Sequence, residues 1–134
     1  MTWELERMLR VLLVEDDELN MELLHTVLEA SGFDVLTAAD ARAGVELARR
    51  EQPDVVLMDL QLPEMDGLEA TRVLRKDPKT SHIPVIAVTA HVKKDDEKRS
   101  FEAGCVLHLP KPVDTRSLPE IVARVIDEAA ERAG

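Results

Sequence analysis

Four apolar residues, Val55-Val56-Leu57-Met58, run straight into a carboxylate, Asp59, and the chain meets Pro63 soon afterwards. Two of the four are β-branched and Pro53 stands upstream, the pattern of a strand buried on both faces. A carboxylate at the tip of such a strand loses hydration and is driven toward neutrality unless charge meets it there. Other apolar runs also lead into residues that can do chemistry. Leu9 to Val14 stops at Glu15-Asp16-Asp17-Glu18, Pro84 to Val88 stops at Thr89, and Val106 to Leu109 comes just before Lys111-Pro112. Carboxylates crowded together repel, and a shared proton or a bound cation resolves the repulsion. An oxygen-rich, thiol-free donor set with few carboxylates suits partly hydrated magnesium better than a closed calcium cage. No calcium-loop pattern is present, and His25, His82, His91 and His108 lack zinc-motif spacing. With Lys111 as a fixed cation and Thr89 as a hydroxyl donor, the set has what phosphoryl transfer asks for, positioning and charge neutralisation. Asp59 is then the candidate nucleophile. Singly each residue says little, because acidic strand ends are commonly solvated caps; their recurrence at separate strand ends carries the weight.

Bringing these residues together falls to the elements between them. Leu19, Leu23, Val27 and Leu28 recur at helical spacing before Gly32, which predicts a helix over about 17–31. Phe33 to Ala38 reads as a strand, and Ala41 to Glu51 as a helix with the small residues Ala41, Val45 and Ala48 on one face. Asp66-Gly67 is a turn signal ahead of a helix from Leu68 to Arg75, with Leu68, Thr71 and Leu74 on one side, ended by Asp77-Pro78. Asp95 to Ala103 is helical by composition, but its apolar face is thin, with Phe101 its one large member, so this helix should be loosely held. Leu118, Ile121, Val122, Val125, Ile126 and Ala129 form a strong last helix behind Ser117 as a candidate cap. Five strands alternating with five helices across short connections argue an α/β fold, a doubly wound parallel sheet covered on both faces. Ligands of such sheets bind outside the C-terminal strand ends, which collects Glu15, Asp16, Asp59, Thr89 and Lys111 on one rim.

A chain of 134 residues is the size of one domain. Its formal net charge of −10 opposes attraction to phosphate backbones and anionic lipid, so neither nucleic acid nor a membrane surface is an expected partner. No apolar run approaches the roughly 20 residues of a membrane span. The lone Cys105 makes no internal disulfide and reads as a packed small hydrophobe. Residues Met1 to Arg10 lack a secretory signal's layout, and the cytoplasm is the expected compartment.

Val14-Glu15-Asp16-Asp17, Met58-Asp59-Leu60-Gln61-Leu62-Pro63-Glu64-Met65-Asp66-Gly67, Val88-Thr89-Ala90 and Pro110-Lys111-Pro112 together strongly resemble the receiver domain of two-component response regulators. The resemblance covers about 9–130, leaving 1–8 as an N-terminal extension with Trp3, the sole tryptophan, and 131–134 as a tail. It implies a flavodoxin-like strand order 2-1-3-4-5. It also implies that Asp59 accepts a phosphoryl group from a histidine kinase or phosphotransfer protein, and that the chain is no enzyme beyond assisting its own phosphorylation and dephosphorylation. Asp16 and Asp59 would bind magnesium directly, Glu15 through water, and Gln61 through its backbone carbonyl. Thr89 and Lys111 would contact the phosphoryl oxygens, and the Lys111-Pro112 bond would be cis. Gln61 and His91, two residues beyond Asp59 and Thr89, would tune the site.

In this family the Thr hydroxyl moves toward the phosphate and a side chain three positions before the lysine turns inward. Here that residue is His108 where the family usually carries Tyr or Phe, and both an inward-turning and an exposed, inert histidine are open. Downstream targets would bind the helix 4, strand 5 and helix 5 face, near the basic cluster Lys93, Lys94, Lys98 and Arg99. The run from Asp59 to Gly67 is most similar to single-domain regulators of the cell-division control type and to hybrid-kinase receivers. With little chain after Ala130, output is expected through binding rather than an attached domain. A magnesium phosphatase with an aspartyl intermediate would want an acid where Gln61 stands, and a flavin binder would want aromatic stackers in a chain that has no Tyr.

Overall fold

The computed structural model describes residues 8–90 and 93–133. Trp3, with most of the expected extension, and His91 lie outside them. Strands β1 (Arg10–Val14), β2 (Asp34–Ala38), β3 (Val55–Asp59), β4 (Val85–Thr89) and β5 (Leu107–Pro110) alternate with helices α1 (Glu18–Ala30), α2 (Ala41–Glu51), α3 (Gly67–Lys76), α4 (Lys94–Ala103) and α5 (Leu118–Ala133). The sheet order is β2-β1-β3-β4-β5 and every pairing is parallel. This is the doubly wound order expected.

Both sheet faces are apolar because both are covered. Leu12, Val14, Met58 and Ala87 alternate with Leu13, Leu57, Ile86 and Val88, and the two sets enter separate cores. The first set packs with Ala41, Ala48, Ala70 and Leu74 of α2 and α3. The second packs with Leu24, Leu28, Leu118 and Val122 of α1 and α5. Small residues bring α2 close to the sheet, and a Cβ at Gly44 would lie only 2.7 Å from a Val14 methyl.

Three local expectations give way to tertiary packing. The buried residues of α1 are Leu24 and Leu28, whereas Leu19 and Leu23 are 76% and 50% exposed. Leu19, Leu23 and Val27 form a stripe one residue round the helix from the one that meets the sheet. Phe101 is 43% exposed, and α4 turns the small Ser100 and Ala103 inward instead. Ser117 does not cap α5 with its hydroxyl, which lies 3.4 Å from the Asp114 carbonyl. Asp114 organises that turn, its Oδ1 accepting from the Arg116 N–H and its carbonyl from the Leu118 N–H. The last helix runs on to Ala133, into the segment expected as a tail.

Candidate functional site

Register alone brings the chemistry-bearing residues together. Val14 stands opposite Met58, so Glu15 and Asp59 leave adjacent strands side by side. Asp59 stands opposite Val88, which puts Thr89 one step beyond on the next strand. Thr89 stands opposite Pro110, and the Lys111 N–H donates to the Thr89 carbonyl at 2.9 Å. Four residues distant in sequence, Glu15, Asp59, Thr89 and Lys111, thus share the C-terminal rim of the sheet.

The side chains converge further. Lys111 Nζ lies 2.9 Å from Glu15 Oε1 and 3.0 Å from Asp59 Oδ2. Glu15 is 2% and Asp59 3% exposed, so the ammonium neutralises carboxylates that water does not reach. The remaining oxygens are held by backbone: Asp59 Oδ1 accepts from the Gln61 N–H at 2.9 Å, and Glu15 Oε2 from the Asp17 N–H at 3.1 Å. Asp16 is exposed at the mouth, and oxygens of Glu15, Asp16 and Asp59 all lie within 4.8 Å of one another. Thr89 is buried at its strand end, and the Lys111-Pro112 peptide is cis.

Three carboxylates face one ammonium, so the cluster carries excess negative charge. Burial pushes the Glu15 carboxyl above its ordinary range, and its hydrogen bond with Asp59 pushes the same way, against the pull of Lys111. For Lys111, burial works against the charge, but the hydrogen bonds with Glu15 and Asp59 outweigh it and raise the ammonium above its usual value. The cluster is therefore a protein cation inside an over-acidic pocket with an open side at Asp16. All its donors are oxygens, the set that a hard divalent ion such as magnesium selects.

The connection after β3 is built to stay close beneath Asp59. A Cβ at Gly67 would fall 2.3 Å from the Asp59 carbonyl oxygen, so only glycine fits at the start of α3. Asp66 caps that helix, its Oδ1 accepting from the Glu69 N–H at 2.8 Å, and the Gly67 N–H donates to the Leu60 carbonyl. Glu64 takes a left-handed φ of 66°, a conformation with a small steric cost for a residue with a Cβ. Gly67 reads in sequence only as a turn signal, and its dependence on Asp59 is visible only in three dimensions.

Among the other expected residues, Gln61 is exposed and lends its N–H to Asp59. Asp17 is the N-cap of α1, accepting from the Leu19 N–H. Cys105 is buried and its thiol is pushed up to about 11, chiefly by burial, which makes it an inert packing residue. His108 is half-buried, with Nδ1 3.0 Å from Ser100 Oγ, so it is not a free surface histidine. Ser100 gave no signal in sequence, since its partner lies across the turn between α4 and β5.

A five-stranded doubly wound sheet with paired carboxylates and a lysine on its C-terminal rim is the arrangement of receiver modules. The family model for the response regulator receiver domain matches residues 11–123, and the chain belongs to that family. It is 42% identical over 119 residues to the polar-differentiation response regulator DivK of Brucella anthropi, covering 89% of this chain and 97% of that protein. Among solved structures, a CheY-like response regulator receiver domain protein from Methanospirillum hungatei matches with a TM-score of 0.87 at 30% identity, over 96% of this chain and all of the other. The receiver domain of sensor histidine kinase PA1611 from Pseudomonas aeruginosa matches with a TM-score of 0.84 at 34% identity, over 90% of this chain and 99% of that one; its structure has magnesium coordinated in the active site cleft.

Proposed function

We propose that the chain accepts a phosphoryl group on Asp59 from a histidine kinase or phosphotransfer protein and passes the signal on by phosphorylation-dependent protein binding or phosphorelay. The observation that carries this is Lys111 Nζ placed 3.0 Å from Asp59 Oδ2 within the carboxylate cluster. An Asp59 oxygen attacks phosphorus as the phosphorus–nitrogen bond of a phosphohistidine breaks. The phosphohistidine ring, protonated at its other nitrogen, takes the electron pair of that bond and leaves as neutral imidazole. Lys111, already poised between two carboxylates, exchanges a carboxylate partner for a phosphoryl oxygen, and the Thr89 hydroxyl donates to another. Glu15, Asp16, Asp59 and the Gln61 carbonyl would hold a magnesium ion, which supplies charge neutralisation for the phosphoryl oxygens.

Leu19 and Leu23 present an exposed apolar stripe on the helix that begins beside Glu15 and Asp16, a fitting seat for a donor protein that must bring its imidazole to Asp59. Output would use the α4, β5 and α5 face, with Gln61 and His91 adjusting the lifetime of the phosphoryl group. The chain is read as a switch in the cytoplasm that acts on no substrate but its own phosphoryl group. No helix among the described residues is long and apolar enough to cross a membrane, and the net charge of −10 disfavours direct nucleic-acid binding.

The test is intact-mass spectrometry after incubation with acetyl phosphate and magnesium. One added phosphoryl group is expected, absent with a chelator and absent in Asp59→Asn. An unmodified wild-type mass under all conditions would overturn the proposal in favour of a binding scaffold.

A further inference from the structure

Helix α4 is held by little. Its N-cap residue Lys93 makes no side-chain cap, Phe101 is exposed, and only Ser100 and Ala103 are buried. Ser100 is fully enclosed, and its hydroxyl contacts two groups. Oγ lies 2.8 Å from the Glu97 carbonyl oxygen and 3.0 Å from His108 Nδ1. A hydroxyl has one proton and a carbonyl oxygen only accepts, so that proton goes to Glu97. Ser100 Oγ then accepts from His108, which fixes the neutral imidazole as its Nδ1–H tautomer. Nε2 is left as the bare acceptor, buried and without a hydrogen bond among the described residues. A buried acceptor with no donor is unfavourable, and the ring keeps this place because its other nitrogen is tied to α4. His108 stands opposite Ala87 and therefore lies on the same sheet face as Ala87 and Thr89.

We infer that the Ser100–His108 hydrogen bond is a latch joining α4 to β5 in the unphosphorylated chain, with Ser100 the positioning residue that sets the ring's orientation and tautomer. The inference rests on the receiver reading above. When the Thr89 hydroxyl turns toward a phosphoryl group, the packing beside His108 changes. The imidazole exchanges Ser100 for a donor at Nε2, and α4 loses a polar tie to β5. The family's aromatic switch residue has no ring nitrogen to tie down in this way, so the latch belongs to the histidine of this chain.

Nitrogen-15 NMR of the metal-free full chain, above the ordinary titration range of histidine, reads the tautomer directly. Wild-type His108 is expected as Nδ1–H, and Ser100→Ala should lose that signature while α4 amides exchange about fivefold faster, the effect of one ordinary hydrogen bond. His108→Phe deletes the same bond from the other side and should give a similar increase, with no further increase in the double variant. Should Ser100→Ala fail to fold, His108→Phe carries the exchange test alone. Beryllofluoride with magnesium, which mimics a phosphoryl group on a carboxylate, should move both His108 ring-nitrogen signals in wild type, as Nδ1–H leaves Ser100 and Nε2 gains a donor, and bring α4 exchange to the level of the variants. An Nε2–H tautomer in wild type, additive effects of the two substitutions, or His108 signals unmoved by beryllofluoride would each overturn the latch. The tautomer and the variant cycle are read without metal or phosphate, so their failure leaves phosphoryl acceptance standing. A missing phosphate adduct removes the receiver reading and leaves the tautomer result untouched.

Discussion

The rim around Asp59 and the seam between α4 and β5 satisfy their buried polar groups in opposite ways. At the rim every buried carboxylate meets an ammonium or a backbone N–H, and Lys111 joins two strand ends at 2.9 and 3.0 Å. At the seam one imidazole nitrogen is bonded, the other is buried without a partner among the described residues, and the helix above buries only two small side chains. A site that must hold a phosphoryl group in one geometry gains from being fully paired. A segment that must change position gains from being under-determined, since a small free energy is then enough to shift it. On the proposed function, a phosphoryl group at Asp59 would add roughly one and a half to two negative charges to the paired region, and the weak seam is where that disturbance is expected to appear as motion.

Several substitutions break or sharpen this contrast, beginning with the largest effect. Lys111→Met leaves Glu15 and Asp59 buried without their cation and should cost about 3 kcal/mol of metal-free stability by urea unfolding, part of it restored by magnesium. Gly67→Ala drives a methyl into the Asp59 carbonyl and should cost about 2 kcal/mol, with slower phosphoryl uptake because β3 and the start of α3 must separate. A similar cost from an alanine at a solvent-facing position of α4 would erase the difference between the two regions.

The pH dependence of the metal-free chain gives a smaller effect. The Glu15 carboxyl is raised in the folded state, so the native chain binds a proton more readily than the unfolded one. That contribution to stability is fully present below the ordinary glutamate range and is lost as pH rises through the raised value. Unfolding midpoints in chelator should therefore fall over that window, while magnesium affinity rises over the same window as the proton is displaced. A Glu15→Gln chain should show neither slope.

The smallest effect on stability is expected at Leu19 and Leu23. Replacing either by Asp should change stability by less than about 0.5 kcal/mol because both are exposed. Each should slow phosphorylation by a donor protein while leaving acetyl phosphate uptake unchanged, measured as the ratio of the two rates.

Much of the rim was legible in the sequence because its information is local. A buried strand that ends in acid, hydroxyl or lysine announces a C-terminal edge, and parallel pairing then forces those ends together. Gly67 was visible as a turn but not as a contact, since the atom it avoids belongs to the Asp59 backbone. Of the α1 residues at helical spacing, Leu28 is buried but Leu19 and Leu23 are exposed, because Leu19, Leu23 and Val27 have the same spacing as the buried pair Leu24 and Leu28, and periodicity alone does not say which stripe meets the sheet. The Ser100–His108 bond was beyond sequence reading for a different reason: it depends on a helix that turns a serine inward and a phenylalanine outward, contrary to polarity.

The most direct test of phosphoryl acceptance is where the acyl phosphate forms. After acetyl phosphate and magnesium treatment, borohydride reduction converts a phosphorylated aspartate to homoserine, which peptide mass spectrometry locates to a single residue. Homoserine at position 59 and nowhere else is the predicted result. Its appearance at Asp16, or at no acidic residue, would contradict the assignment of Asp59 as the phosphoacceptor.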